Sequence, residues 1–389
     1  MRTAKTAARR RNTNLDALRA IAILMVLGRH AGETMLFAHT ANFYTAYWAR
    51  VGWAGVDLFF VLSGFLISGL LFSDYQEKGR IDVARFYIRR GLKIWPSFYA
   101  LILIGLLWDA VLPGHTISTK RLWAELLFVQ DYFRSIWGIT WSLAVEEHFY
   151  LSLPLVLVLM IRRASAKPFA ALPYLFVAIG VFSLVCRFIA GWRQDGVVDW
   201  WTCVFPTHLR MDGLMFGVLL CYYRRFRPSV FKRIVGWRGG WVLAAAAITA
   251  LSILPVEGRH MHTWGFTLIY LAAGWVVARA VAFEGRRLIR IASGVLARIG
   301  LYSYSIYLWH IFVVQKILSH CHISSPVLMF WCALAGPILF GIAAAKAIEI
   351  PVLRFRDRVF ASGFKGDVAS IPAGPSQGLA EEQADGHAG

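Results

Sequence analysis

Residues 54–73 read AGVDLFFVLSGFLISGLLFS, twenty residues in which Asp57 is the only charge. The hydrocarbon core of a bilayer is about 30 Å thick and takes roughly twenty mostly apolar residues as one helix, so this stretch has the length and composition of a membrane span. Further candidate spans flank it on both sides, and the full set is 17–37, 54–73, 97–112, 140–161, 170–190, 208–223, 237–255, 263–283, 295–317 and 326–350. The third and sixth are short. Trp108–Asp109 and the Arg210/Asp212 pair bring to them polar groups that, where charged, cost about 2.5–3.5 kcal/mol each against lipid, so their polar faces are expected to turn into the bundle. With 389 residues, 58% hydrophobic and 16% charged, the chain is expected to be an all-α, polytopic membrane helix bundle of about ten transmembrane helices. That composition excludes a soluble globular domain, a disordered chain and a disulfide framework; the five cysteines show no Cys-x-x-Cys spacing.

The net charge of +19 is organised by topology. Alternate connections hold 28 of the 41 basic residues: the N-terminus (Arg2 to Arg11), Lys78 to Lys93, Arg162 to Lys167, Arg224 to Arg238, Arg286 to Arg298 and Arg354 to Lys365. The opposite connections hold eight. The positive-inside rule then places both termini in the cytoplasm, in accord with an even number of spans, and no nucleic-acid partner is needed to explain the charge. The apolar run after the basic start is full length and no small-residue cleavage site precedes Leu15, so the first helix is read as retained. The final stretch, small, polar and mildly acidic, reads as a disordered tail.

Ionisable groups inside a bilayer are candidates for function because each needs a partner or water. Arg19 and His30 are eleven residues apart, about 1,100° of helical rotation, which brings them to one face with His30 about 16 Å further from the cytoplasm. With the same orientation, Asp57 and Ser63, then Glu146, Glu147 and His148, then His208, Arg210 and Asp212, and finally His310 all fall in the outer half of their spans. A neutral imidazole can take a proton from a hydroxyl, and a buried carboxylate can hold its tautomer, so His30 with Glu146 or Glu147 is the expected pair. On the cytoplasmic side Arg89, Arg90 and Lys93 stand just before Trp95–Pro96, and Arg there suits phosphates. A donor with several phosphates and a thioester arm would fit, and the charge by itself is equally met by anionic lipid headgroups or by topology alone. The intramembrane groups also admit a proton relay, a structural hydrogen-bond network, or the translocation path of a transporter or channel. His260-Met261-His262 and His320-Cys321-His322 lie on the outer side without a carboxylate to complete a ligand set, so no metal is expected. Cys203 and Cys321 share that side, and spacing does not decide whether they pair.

Several of these motifs together resemble acyltransferase family 3, multi-spanning enzymes that acylate, mostly O-acetylate, surface and secreted carbohydrates. The opening Leu15-Asp16-Ala17-Leu18-Arg19, continuing to His30, is similar to the family's Arg, ten residues, His signature. Gly55 to Ile67 resembles its second-span motif, Phe86 to Pro96 its arginine-rich segment before a proline, and Trp141 to Tyr150 its Trp-Ser-Leu and Glu motif. Arg210 to Gly217, Gly300 to His310 and Glu349-Ile350-Pro351 follow in the family's order, so the resemblance covers about residues 15–358. Two positions depart from it. Lys93 stands where Arg is usual, which keeps the charge but loses the bidentate fork, and His148 stands where Gln is common.

The resemblance implies a basic N-terminus at 1–14, a transmembrane acyltransferase domain at 15–358 and a tail at 359–389. It implies an acyl-coenzyme A donor, expected to be acetyl-coenzyme A, held at the cytoplasmic face by Arg89, Arg90 and Lys93. His30 would act as base or transient acyl carrier, and Arg19 would position the arm or steady charge on the thioester oxygen. Asp57, Ser63, Arg210, Asp212 and His310 are the acceptor-side candidates. Some relatives add an esterase-like domain for which this chain has no room, so the membrane domain is expected to meet its acceptor directly. The expected partners are membrane lipids and a carbohydrate such as a surface polysaccharide or lipid-linked glycan, in a bacterial cytoplasmic (inner) membrane. A macrolide, lipid or peptide acceptor is the alternative within the same chemistry.

Overall fold

A computed structural model describes residues 12–37, 42–111, 117–163, 166–194, 198–283, 287–321 and 323–360, which fold as helices with no strand among them. A lipid-embedded backbone has no water to bond, so each span must satisfy its own N–H and C=O groups, and the helix does this within one segment. In chain order the helices are α1 (Thr13–Phe37), α2 (Phe43–Val51), α3 (Gly55–Lys78), α4 (Val83–Val111), α5 (Thr119–Leu126), α6 (Trp141–Arg163), α7 (Leu172–Trp192) and α8 (Trp200–Cys203). Then come α9 (Thr207–Phe226), α10 (Pro228–Gly236), α11 (Gly239–Ile253), α12 (Phe266–Ala282), α13 (Arg287–Leu301), α14 (Ser303–Phe312), α15 (Pro326–Ala344) and α16 (Ile350–Val359). The expected N-terminal segment up to Arg11, the tail from residue 361 and His322 lie outside the described residues.

Among the described residues six helical stretches are long and apolar enough to cross a membrane: Phe43–Lys78, Val83–Val111, Trp141–Arg163, Leu172–Trp192, Met261–Ala282 and Pro326–Val359. The pair α10 and α11, bent by 60°, makes a seventh if it is one span. Helices also stand at the other expected positions, as α1, α9 and α13–α14, with more charge or a break in each. Two segments differ from the sequence reading. The third is the second half of a 29-residue helix that begins at Val83 and runs through Pro96, so the basic cluster lies on the helix itself. The ninth is broken at Tyr302, and a wider turn at Val313–Ile317 follows α14.

The charges within the short spans find protein partners, as their cost in lipid demands. Lys316 Nζ reaches Asp109 at 2.5 Å, and Arg210 and Asp212 are buried. Of the tryptophans in connections between spans, Trp192 is 79% exposed, whereas Trp53 and Trp137 are buried in the core.

Two apolar clusters build the core. One joins α3, α6, α9 and α12 through residues such as Phe60, Val145, Leu214 and Phe266; the other joins α1, α4, α14 and α15 through Leu27, Phe98, Trp309 and Phe330. Contact between α3 and α9 is backbone to backbone. A Cβ on Gly64 would sit 1.9 Å from the Leu214 carbonyl oxygen, and one on Gly217 would sit 2.2 Å from that of Val61. Only glycine allows that approach, which is how helices associate where lipid offers no hydrophobic drive.

Candidate active site

A cavity with about 750 Å3 of empty space, its open mouth included, takes its walls from α1, α3, α4, α6, α14 and the end of α13. Arg19, Arg90 and Lys93 line it together with Ser63, Ser142, Glu146 and Tyr307. The α6 residues Ser142, Glu146 and Tyr150 recur every four positions and so share one helix face. Tyr150 donates to Glu146 Oε2 at 2.8 Å and also bonds Ser63 Oγ, while the Arg90 guanidinium lies 4.0 Å above the Tyr150 ring. Glu147 points elsewhere and accepts from Trp95 Nε1 at 3.2 Å.

His30 does not meet Glu146 or Glu147. Its carboxylate is Glu33, one turn along the same helix, with His30 Nδ1 at 2.9 Å from Glu33 Oε2. The other Glu33 oxygen takes Arg29 Nη2 at 2.7 Å, and Arg29 Nη1 donates to the Ala49 carbonyl at 2.9 Å. A carboxylate only accepts, so His30 Nδ1 carries a proton, and in the neutral imidazole Nε2 then keeps its lone pair. The His310 ring lies beside it, centroids 5.1 Å apart. His310 is fully buried; its Nδ1 donates to the Tyr307 carbonyl at 2.5 Å, and among the described residues its Nε2 has no hydrogen-bond partner. Tyr307 therefore joins the two places: its ring lines the cavity, its hydroxyl lies 2.6 Å from Ser142 Oγ, and its carbonyl orients His310. Glu33 is not among the expected site residues, although its i, i+3 spacing from His30 makes the two adjacent on any helix.

The remaining expected site residues divide. Asp57 of α3 pairs with Arg210 of α9 at 2.8 Å and Asp212 of α9 with Arg187 of α7 at 2.8 Å, all buried and none on the cavity wall. Arg187 also donates to the Leu209 carbonyl and to Thr267 Oγ1, and the Arg210 guanidinium stacks 3.8 Å from the Phe266 centroid. Arg89 is not on the cavity wall either. It contacts Asp357 and the Phe360 carbonyl on the last turn of the C-terminal helix and beyond.

The connection between α5 and α6 is held from inside by Glu125. Its Oε1 accepts from Thr140 Oγ1 at 2.7 Å and from the amides of Ile136 and Trp137 at 3.0 and 3.3 Å, which sets the start of α6 just before Ser142. Burial pushes this carboxyl up from 4.5 to about 7, against those three hydrogen bonds. Nearby, Asp131 caps α9 through the Thr207 amide and hydroxyl, and His148 Nδ1 lies 2.7 Å from the same hydroxyl. Burial raises Asp131 too. Cys203 and Cys321 carry free thiols. Among the described residues no group of three His, Cys, Asp or Glu side chains is placed to hold a metal.

A family profile described as an acyltransferase domain matches residues 12–346, which takes in every side chain of the cavity wall. The chain belongs to acyltransferase family 3. Among its relatives, O-acetyltransferase OatA of Staphylococcus aureus strain NCTC 8325 is 28% identical over 378 residues, covering 89% of this chain and 58% of the relative. The OatA protein of strain COL matches to the same extent. A third relative from strain COL, provisionally named an O-acetyltransferase, is 27% identical over 363 residues, 87% of this chain and 56% of its own length. The chain thus spans a little over half the length of these family 3 relatives. No solved structure matches it.

Proposed function

We propose that this integral membrane protein is an O-acyltransferase that moves an acyl group, acetyl by preference, from acyl-coenzyme A to a carbohydrate hydroxyl. The observation that carries the reading is the junction at Tyr307, where a cavity lined by Arg19, Arg90 and Lys93 abuts the His310–His30–Glu33 array. Cations suit a polyanionic donor, and the array supplies a base whose tautomer is already set. The acceptor hydroxyl gives its proton to His30 Nε2 while its oxygen bonds the thioester carbonyl carbon. The C–S bond then breaks, and the imidazolium returns the proton to the departing thiolate, leaving ester and free thiol. Arg19 on the cavity wall would steady the oxyanion, because a fixed cation in a dry site is felt strongly. We further propose ten spans with both termini cytoplasmic, in a bacterial inner membrane, from the alternation of basic connections. The donor would then arrive from inside and the acceptor from outside.

The test is coenzyme A release from acetyl-coenzyme A by purified protein in lipid, with cell-envelope glycan as acceptor, for wild type and His30→Ala. Release that depends on glycan and vanishes in His30→Ala is the expected result. Release indifferent to His30 would remove the base from the reading, and ligand flux without any release would favour a transporter.

A further inference from the structure

Arg89 and Arg356 converge on one carboxylate oxygen. Asp357 Oδ1 accepts from Arg89 Nη2 at 3.1 Å and from Arg356 Nε and Nη2 at 3.0 and 2.8 Å. Among the described residues one carboxylate stands between two guanidiniums, which leaves a positive charge unmatched there, and a single oxygen is a poor complement to two planar forks. A phosphate offers three or more oxygens and up to two charges, which is what paired guanidiniums grip best. The forks are held in place. Arg356 is 5% exposed and donates through Nη1 to the Arg89 carbonyl at 3.4 Å, while Arg89 Nη1 donates to the Phe360 carbonyl at 2.5 Å.

Asp357 is the movable member. Its side chain is 37% exposed and it sits in the last turn of α16, where a negative charge opposes the helix dipole and where helices open first. Arg89 also shares a face of α4 with Lys93, four residues or about 6 Å further along the helix, and Lys93 lines the cavity. The pair of arginines therefore stands at the cytoplasmic approach to the cavity, one turn away from its wall.

We infer that Arg89 and Arg356 form a phosphate seat which Asp357 closes in the resting protein, and that a phosphate-bearing ligand opens it by displacing the carboxylate. The chemistry is shared by a nucleotide donor and a phospholipid headgroup; the donor as occupant rests on the reading proposed above. Displacement and binding are linked, so removing the competing carboxylate strengthens binding by the fraction of time the seat was closed, about three- to tenfold for a partly exposed ion pair.

The dissociation constant of coenzyme A is measured by calorimetry on the full chain in zwitterionic nanodiscs, for wild type, Asp357→Asn, Asp357→Ser and Arg356→Gln, with melting temperatures alongside. Tighter binding in both Asp357 variants and weaker binding in Arg356→Gln, at unchanged melting temperature, is the expected pattern. A second arm adds phosphatidylglycerol and counts retained lipid by native mass spectrometry. Lipid retained more by the Asp357 variants and less by Arg356→Gln, with coenzyme A affinity indifferent to all three, supports the seat and assigns it to headgroups. If no variant binds coenzyme A, the donor reading fails and the seat is judged on lipid retention alone. Asp357 variants that bind both ligands as the wild type does, or more weakly, overturn the proposal and leave Asp357 as a brace for Arg89.

Discussion

Glu33→Gln separates the base from the group that orients it. In the wild type His30 Nδ1 donates to Glu33 Oε2 at 2.9 Å, and the carboxylate cannot donate back, so only one neutral tautomer fits. Glutamine has the same shape but presents an amide, and Arg29 Nη2, which holds the other Glu33 oxygen at 2.7 Å, will claim its carbonyl. The amide N–H2 then faces His30 Nδ1, which must accept, and the proton moves to Nε2, where the acceptor hydroxyl needs a lone pair. General-base catalysis is worth about 100- to 10,000-fold, and with both side chains about a quarter exposed the lower end applies. The expectation is a fall in kcat of about 100-fold, or about 2.7 kcal/mol, with the KM for the acyl donor unchanged because Arg90 and Lys93 are untouched. Coenzyme A release under saturating donor reads this directly, and a melting curve shows whether the fold survives. Wild-type kcat in Glu33→Gln, with loss instead in Glu147→Gln, would refute the reasoning and return the base to a cross-helix partner.

Two further outcomes follow from buried charge. Glu125 is held up at about 7 in the folded protein and relaxes to about 4.5 when unfolded, so its contribution to stability is complete below pH 4.5 and is lost as pH rises through 7, about 3 kcal/mol in all; melting temperature in lipid should fall between pH 5 and 8 in the wild type and flatten in Glu125→Gln, and parallel curves would show that the carboxyl is solvated. Arg187→Met leaves Asp212 buried without its 2.8 Å partner and should cost about 3–5 kcal/mol, whereas Arg187→Met with Asp212→Leu should recover most of it. A neutral single variant in thermal denaturation would mean that the pair is wet.

The apolar runs carried the architecture because a bilayer imposes length and hydropathy directly on each segment, and helices stand at every position where such a run was read. Helix ends were less legible. Residues 83–96 are basic enough to read as a connection, yet they continue α4 because nothing in Arg, Leu, Lys or Ile breaks a helix, and Pro96 forfeits one bond within a long segment. The break at Tyr302 comes two residues after Gly300, a weak signal inside a run that otherwise reads as one helix. Among the candidate residues, depth was readable and pairing was not. Arg89 is assigned by its charge and by the family's arginine-rich segment, neither of which shows a partner 268 positions away. Asp57, Arg210 and Asp212 shared a level with His30 but pack among aromatic rings, because two guanidiniums and two carboxylates at one depth satisfy each other first.

The glycine contact between α3 and α9 has a use as a ruler. With Gly64 against the Leu214 carbonyl and Gly217 against that of Val61, neither helix can slide by a residue without driving a side chain into backbone. Labels placed on this pair should therefore report one unvarying separation through turnover, a stationary frame in which displacements of α1, α4 and α14 around the cavity can be measured as absolute motions rather than as differences between two moving parts.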